Sequence, residues 1–469
     1  MKKHLYMSLT GFALLDRCMF VSIVLLWLNA SVARAVEKPY NVVFLLADDL
    51  RFDALGVAGN PVVKTPNIDQ LAADGFRFTH ACVTTSISGV SRASLLTGQW
   101  MSRHGNRGFV SFNTPWNETY PGLLRENGYH VGHVGKWHCG PFPAKEFDFG
   151  RAYSGKHWIQ GAAGGEINVI QKNEQDALEF LATRPKDKPF LLNLCFFAPH
   201  AEDGHPDQYR PRPESLRLYQ DVNIPIPPRA TEAALKNLPF FLQQPENEGR
   251  IRFHWRFDEP AKYQRMMKNY YRLCSEVDTA CGRVIRELKE QGVFDHTIIV
   301  FMSDNGYYIG DRGLADKWYP HEESIRVPLI ICDPRMPAAQ RGTTNDDFVL
   351  NVDVAPTLLA AAGIKAPARM QGRDFSPLYL AAKTPPTPPW RNEFFYEHGT
   401  IGSKRQIPSS EAVVRKAIKY VNWPEWNYEE LFDLTNDPLE QKNLIASPDF
   451  SDRLAELRDR MESMRAEAR

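Results

Sequence analysis

Several stretches of the chain run apolar without alternation and stop abruptly at polar residues: Asn41–Ala47 (NVVFLLA), Phe190–His200 (FLLNLCFFAPH), Thr297–Ser303 (TIIVFMS) and Leu329–Cys332. A strand buried on both faces reads this way, as in the centre of a parallel sheet. Between them the period changes. Pro260–Gln291 is a long amphipathic helix with Tyr263, Met267, Tyr271, Val277 and Leu288 on its apolar side. Lys64–His80 reads as a turn, a helix and a short strand, and Tyr129–Gly140 as a short strand ending at Gly135. The run NVDVAPTLLAAAGI is a helix with Pro356 near its first turn. Strands interleaved with helices place the chain in the α/β class. Arg210–Phe257 has many prolines and little apolar periodicity, so it reads as a long loop over a functional edge. A proline-rich break, Thr384–Trp390, separates a large domain (36–383) from a small one (391–469). The small domain carries short strands at Asn392–Tyr396, Ala412–Val414 and Ala417–Val421. Its charge-rich terminal helix, Asp449–Arg469, reads as a solvated face.

Composition narrows the class. Hydrophobic residues make up 43% of the 469 residues and aromatics 12%, enough for a substantial core. The formal net charge is zero, so nothing points to nucleic acid. Lys2, Lys3 and His4, the apolar run Met19–Leu28 and Ala33-Arg34-Ala35 read as a signal peptide over residues 1–35, cleaved before Val36. The run is too short to span a bilayer comfortably, so the expectation is export to the periplasm or beyond, without stable membrane insertion. Cys82, Cys139, Cys195, Cys274, Cys281 and Cys332 have no CxxC spacing, which argues against zinc. Cys195 and Cys332 sit in apolar runs and read as buried thiols.

The chemistry gathers where the apolar runs end. Asn41–Ala47 stops at Asp48-Asp49, and Thr297–Ser303 at Asp304-Asn305-Gly306. Carboxylates at the ends of buried strands are costly unless paired or bound to a cation, and that edge of an α/β sheet is where ligands bind. Asp48, Asp49, Asp304 and Asn305 offer oxygen only, which suits calcium or magnesium. Thr85–Gly98 (TSISGVSRASLLTG) reads as a serine-rich turn, Ser86–Gly89, running into a helix from Arg92. A helix N-terminus with Ser88 at it and Arg92 beside it suits a tetrahedral oxyanion. Lys136 and His138, two apart in extended backbone, face one side together: one holds an anion, the other moves a proton. Another strand end delivers His200.

The spacing Ser88-x-x-Ser91-Arg92 followed by Leu95-Leu96-Thr97-Gly98 resembles the signature of the type I, formylglycine-dependent sulfatases. Val90 stands where that family has Pro or Ala. Thr65-Pro66-Asn67, Gly135-Lys136-Trp137-His138 and Gly313-Leu314-x-x-Lys317, the last before Glu322-Glu323-Ser324-x-Arg326-Val327-Pro328, are similar to further family motifs in the family's order. The resemblance implies an alkaline phosphatase-like fold: a large central mixed, mostly parallel sheet sandwiched by helices, plus a small C-terminal subdomain with an antiparallel sheet and a helix. It implies calcium on Asp48, Asp49, Asp304 and Asn305, and Ser88 oxidised to formylglycine by a serine-type maturation enzyme. Arg92, Lys136 and Lys317 would hold sulfate and the nucleophile, His200 would protonate the leaving alcohol, and His138 would take the proton that releases sulfate. Arg312 and His321 stand where many members carry His and Tyr and are expected to tune substrate choice; Glu397, His398 and Arg415 are expected to reach the substrate. The implied activity is removal of sulfate from a sulfated carbohydrate. The alternatives are a metal-dependent phosphatase or phosphodiesterase using unmodified Ser88, and an inactive binder of sulfated glycan.

Overall fold

The computed structural model describes residues 1, 38–161, 164–381 and 388–469. Residues 2–37, which hold the expected leader and its cleavage point, and most of the proline-rich break lie outside the described residues. No helix among the described residues is long and apolar enough to cross a membrane.

The large sheet is built from β1 (Asn41–Asp48), β2 (Phe76–Cys82), β3 (His130–Gly135), β4 (Phe149–Ala152), β5 (Phe190–Pro199), β6 (Thr297–Ser303), β7 (Arg326–Cys332), β8 (Thr343–Asn345) and β9 (Val349–Leu350). Its order is β8-β2-β7-β6-β1-β5-β3-β4, with β9 also on β2. The central pairs β6-β1, β1-β5, β5-β3 and β3-β4 are parallel, and β7 runs antiparallel to both its neighbours. Every residue of β1, β5 and β6 is buried, so an unbroken apolar run is what each must carry.

The helices are α1 (Pro66–Asp74), α2 (Ser88–Thr97), α3 (Tyr120–Glu126), α4 (Val169–Thr183), α5 (Glu248–Arg256), α6 (Pro260–Glu290), α7 (Val354–Ala361) and α8 (Ser451–Ala468); all but α5 and α8 cover the two faces of this sheet. Successive side chains of β1 feed opposite cores. Val43 and Leu45 pack with Ala177 and Phe180 of α4 and Met267, Leu273 and Val277 of α6. Val42, Phe44 and Leu46 pack with Ala93 and Leu95 of α2, Tyr120 of α3 and Leu358 of α7.

The antiparallel sheet β10 (Glu393–His398), β11 (Ser410–Arg415), β12 (Ile418–Trp423) and β13 (Tyr428–Asp433) follows. One face, with Phe394, Tyr396, Val414 and Trp423, packs against Ile87, Val90 and Trp318 from the preceding part of the chain. The other face carries α8. The expectation that this helix is simply solvated is corrected: Leu454, Leu457, Met461 and Met464 are buried against Phe395, Val413 and Leu431. Their i, i+3, i+4 spacing is the apolar stripe, hidden among Arg and Glu. Arg210–Phe257 is corrected as well, since it holds α5, capped by the Asn247 side chain accepting from the Gly249 amide. The six cysteines among the described residues are free and buried.

Candidate active site

Register assembles the site. Asp48 of β1 stands beside Pro199 of β5, and Ala47 beside Ser303 of β6. The residues that follow (Asp49, His200, Asp304 and Asn305) therefore emerge together at the C-terminal edge of the parallel strands. Gly135 of β3 pairs with Cys195 of β5, and the Lys136 amide donates to the Cys195 carbonyl at 2.8 Å, which brings Lys136 to the same edge.

Helix α2 begins at Ser88 itself, so Ser88 and Gly89 are helical where the sequence suggested a turn. Ile87 is the N-cap and offers no capping side chain, so the first-turn amides are left for another acceptor. Ser88 Oγ lies 3.0 Å from Asp48 Oδ1 and 3.4 Å from Asn305 Oδ1. An oxygen at this position thus sits among the oxygens of the strand ends.

Around it the charges are paired. Lys136 Nζ is bonded to Asp48, and Lys317 Nζ lies 2.7 Å from both oxygens of Asp49. Arg92 Nε donates to Asp304 Oδ2 at 2.8 Å, and its Nη1 to the Lys136 carbonyl at 2.9 Å. The Asp49 amide donates to Asp304 Oδ1 at 3.3 Å, and His200 Nε2 is 3.5 Å from Asp49 Oδ2. Ligand atoms of Asp48, Asp49 and His200 lie within 4.8 Å of one another. Together with Asn305 Oδ1 and Asp304, they form a donor set dominated by buried oxygen, which fits a hard divalent cation.

Burial opposes ionisation of Asp48, yet Lys136, His200, Arg92 and Lys317 outweigh it and hold that carboxyl well below its usual range. Burial, reinforced by Asp48, Asp316 and Asp304, pushes Asp49 up to about 7 against the pull of Lys317. Burial and the Asp48 charge raise Asp304 to about 6. This crowding of carboxylates is what a bound cation relieves. Burial and Lys136 press His138 down to about 3; burial and Lys317 hold His200 well below the ordinary histidine range. His200 Nδ1 is 2.6 Å from the Ala201 carbonyl, so this nitrogen carries the proton and Nε2 faces the site as an acceptor.

An open cavity of about 410 Å³ is lined by Ser88, Lys136, His138, His200 and Lys317, with Phe109, Arg252 and Trp318 among its other walls. Arg92 does not border it; it stands behind, tying Asp304 to the Lys136 backbone. Lys136 and His138 do face one space, but not through extended backbone. Gly135 has φ 98° and His138 φ 65°, while Trp137 turns into an aromatic cluster with Phe142 and Phe147. Asp49 (φ 60°), Asp316 (φ 74°) and Trp318 (φ 87°) are likewise left-handed, so backbone strain gathers at this edge.

Some residues expected near substrate are elsewhere. Arg312 bonds to Glu323 and Glu440, and His321 Nδ1 pairs with the Tyr308 hydroxyl at 2.6 Å; both are buried anchors away from the cavity. Glu397 accepts from the Ser102 amide at 2.8 Å, Arg415 pairs with Glu393 and Glu456, and His398 is buried; none borders the cavity. Conversely, the sequence pattern does not single out Phe109, half exposed and stacked on His138 at 4.6 Å, or Asp316, 3.1 Å from Lys317.

Residues 40–364 match the family described as Sulfatase, and residues 310–467 match the C-terminal part of N-sulphoglucosamine sulphohydrolase. The chain is 26% identical to an N-acetylglucosamine-6-O-sulfatase of Bacteroides thetaiotaomicron, covering 92% of this chain and 87% of that protein. It is 29% identical to an arylsulfatase of Clostridium perfringens, over 90% of this chain and 93% of the relative. A structure solved with its substrate D-glucosamine-2-N,6-O-disulfate superposes with a TM-score of 0.77 and 25% identity, over 92% of this chain and 98% of the other. The chain belongs to the sulfatase family, with its alkaline phosphatase-like α/β fold. It is an enzyme of sulfate-ester hydrolysis.

Proposed function

We propose that this sulfatase removes sulfate from a sulfated carbohydrate, with calcium held by Asp48, Asp49, Asp304 and Asn305 and formylglycine made from Ser88. The observation that carries this reading is the meeting of Ser88 Oγ with Asp48 and Asn305 at the uncapped start of α2, inside a cavity walled by Lys136, Lys317, His138 and His200. Calcium would supply Lewis-acid charge beside position 88, and formylglycine, as its hydrate, the oxygen that attacks sulfur. Lys136 and Lys317, each on a carboxylate of the donor set, are the ammonium groups within reach of ester oxygens. Arg92 fixes Asp304 and the Lys136 backbone, so that both stay aimed at position 88. His200, as the imidazolium with its Nδ1–H held by the Ala201 carbonyl, gives the leaving oxygen a proton from Nε2, and neutral His138, whose buried Nδ1 has no partner among the described residues, takes a proton at position 88. The sugar substrate is supported by the named activities of the relatives on glucosamine sulfates.

The test is sulfate release, followed by ion chromatography, from a monosulfated N-acetylhexosamine by calcium-loaded protein whose position 88 has been verified by mass. Release of sulfate, with phosphomonoesters turned over at least about tenfold more slowly in kcat/KM, is expected. Faster phosphate release would favour an esterase using the Ser88 hydroxyl, and binding without turnover would favour the inactive glycan binder. Export through a signal peptide over residues 1–35 and the division into domains at 36–383 and 391–469 belong to the same proposal.

A further inference from the structure

Helix α5 carries Arg252 to the wall of the cavity that holds Ser88 and the two lysines. The guanidinium is immobilised on one side. Its Nε donates to Glu248 Oε1 at 2.8 Å, and its Nη1 donates to Asp203 Oδ2 at 2.8 Å and to Asp316 Oδ2 at 2.7 Å. The indole of Trp318 lies 5.3 Å from its central carbon and that of Trp255 5.9 Å, so the plane is flanked by aromatic rings. Nη2 makes no hydrogen bond among the described residues, and the side chain keeps 16% of its surface exposed.

Three carboxylates fix this group and leave Nη2 without a protein partner on a residue that lines the cavity, a preorganised donor. The local charge says what that donor can take. Arg252 is already offset by the three carboxylates it bonds, and the neighbouring cations Arg256 and Lys317 are committed to Asp203, Asp316 and Asp49, so no cation here is left without a carboxylate. A second sulfate or a uronate carboxylate would enter against that balance, whereas a hydroxyl or amide carbonyl would not. Phe109, half exposed in the lining of the same cavity, adds a flat apolar surface of the kind a sugar ring packs on.

We propose that Arg252 is the specificity-determining residue for the leaving group: its Nη2 donates to an uncharged oxygen of the sugar that bears the scissile sulfate. This rests on the sugar-sulfate reading above. It divides the substrate between two walls, the anion held by the strand-end cations and the neutral ring read by α5.

The experiment compares wild type, Arg252→Met and Arg252→Lys, all calcium-loaded and with position 88 verified by mass. Substrates are 4-nitrophenyl sulfate, a monosulfated N-acetylhexosamine and the same sugar with a second sulfate. The expected result is a fall of at least about tenfold in the ratio of sugar to aryl kcat/KM in Arg252→Met, carried mainly by KM, with wild type favouring the monosulfated sugar. Arg252→Lys keeps the charge but loses the planar second edge, and the same fall is expected. An unchanged ratio, rescue by lysine, or a preference for the disulfated sugar that vanishes in Arg252→Met overturns the proposal. Aryl turnover by wild type with no sugar turnover overturns the sugar reading itself, a different outcome from an unchanged ratio.

Discussion

Lys317→Met removes one ammonium and keeps most of the apolar stem. Lys317 is buried, and its Nζ lies 2.7 Å from each oxygen of Asp49 and 3.1 Å from Asp316. At an effective dielectric near 20, unit charges about 3 Å apart attract by about 5–6 kcal/mol. Desolvation of both groups offsets part of this, and breaking a buried pair costs about 3–5 kcal/mol. Two consequences follow from the sign. Asp49, already raised to about 7 by burial and its carboxylate neighbours, loses the charge that pulls it down, so it rises further and holds a cation less well at neutral pH. The substrate loses an electrostatic partner, a loss of about 10²–10³ in kcat/KM, or about 2.7–4 kcal/mol. Initial rates of 4-nitrophenyl sulfate hydrolysis across calcium concentrations separate these effects. The variant should need more calcium for half-maximal rate and remain slower at saturation. A kcat/KM within about threefold of wild type at every calcium concentration would refute the placement of Lys317 among the substrate's cations.

Ser88→Ala should abolish turnover by about 10⁴-fold or more while leaving the calcium-dependent rise in melting temperature, because Asp48, Asp49, Asp304 and Asn305 remain; retained activity would move the nucleophile elsewhere. Calcium at a hundredfold excess over its Kd should stabilise the chelator-stripped protein by about 2.7 kcal/mol, read by calorimetry, and no shift in melting temperature would contradict a hard-cation site. In the C-terminal sheet, burial raises Glu430 from 4.5 to about 7 while its carboxylate accepts from Trp423 Nε1 at 2.8 Å. A raised carboxyl keeps its proton in the folded state after the unfolded chain has lost it, so folding stability falls as pH rises between those values. Glu430→Gln, which can still accept from Trp423, should therefore gain stability over wild type from pH 5 to pH 8, by about 3 kcal/mol at most, in urea titrations; a constant difference would show that Glu430 ionises freely.

The strand ends were legible because burial on both faces forces an unbroken apolar run, and a carboxylate pair ending such a run needs a cation or a cationic side chain to be stable there. Asp48, Asp49, Asp304, Asn305 and His200 meet because their strands are neighbours, in register, with ends at one edge. What was hidden depends on partners far away in sequence. Helix α5 has charged or aromatic residues at most of its positions and is tied down by Arg252 and Arg256 on Asp203 and Asp316, contacts that no local period encodes. β13 carries Leu431 to one core and Phe432 to another, so its pattern does not alternate as a half-exposed strand would. Arg312 and His321 depart from the residues many family members carry, which is why they are expected to tune substrate choice, but their partners Glu440 and Tyr308 make them anchors.

The central claim is tested most directly by the mass of the peptide carrying Ser88, taken from protein produced together with a serine-type maturation enzyme. Loss of two hydrogens at Ser88 is the predicted result, and it would mean that Val90 is accepted in the recognition sequence. An unmodified Ser88 under those conditions would contradict the formylglycine mechanism for this chain.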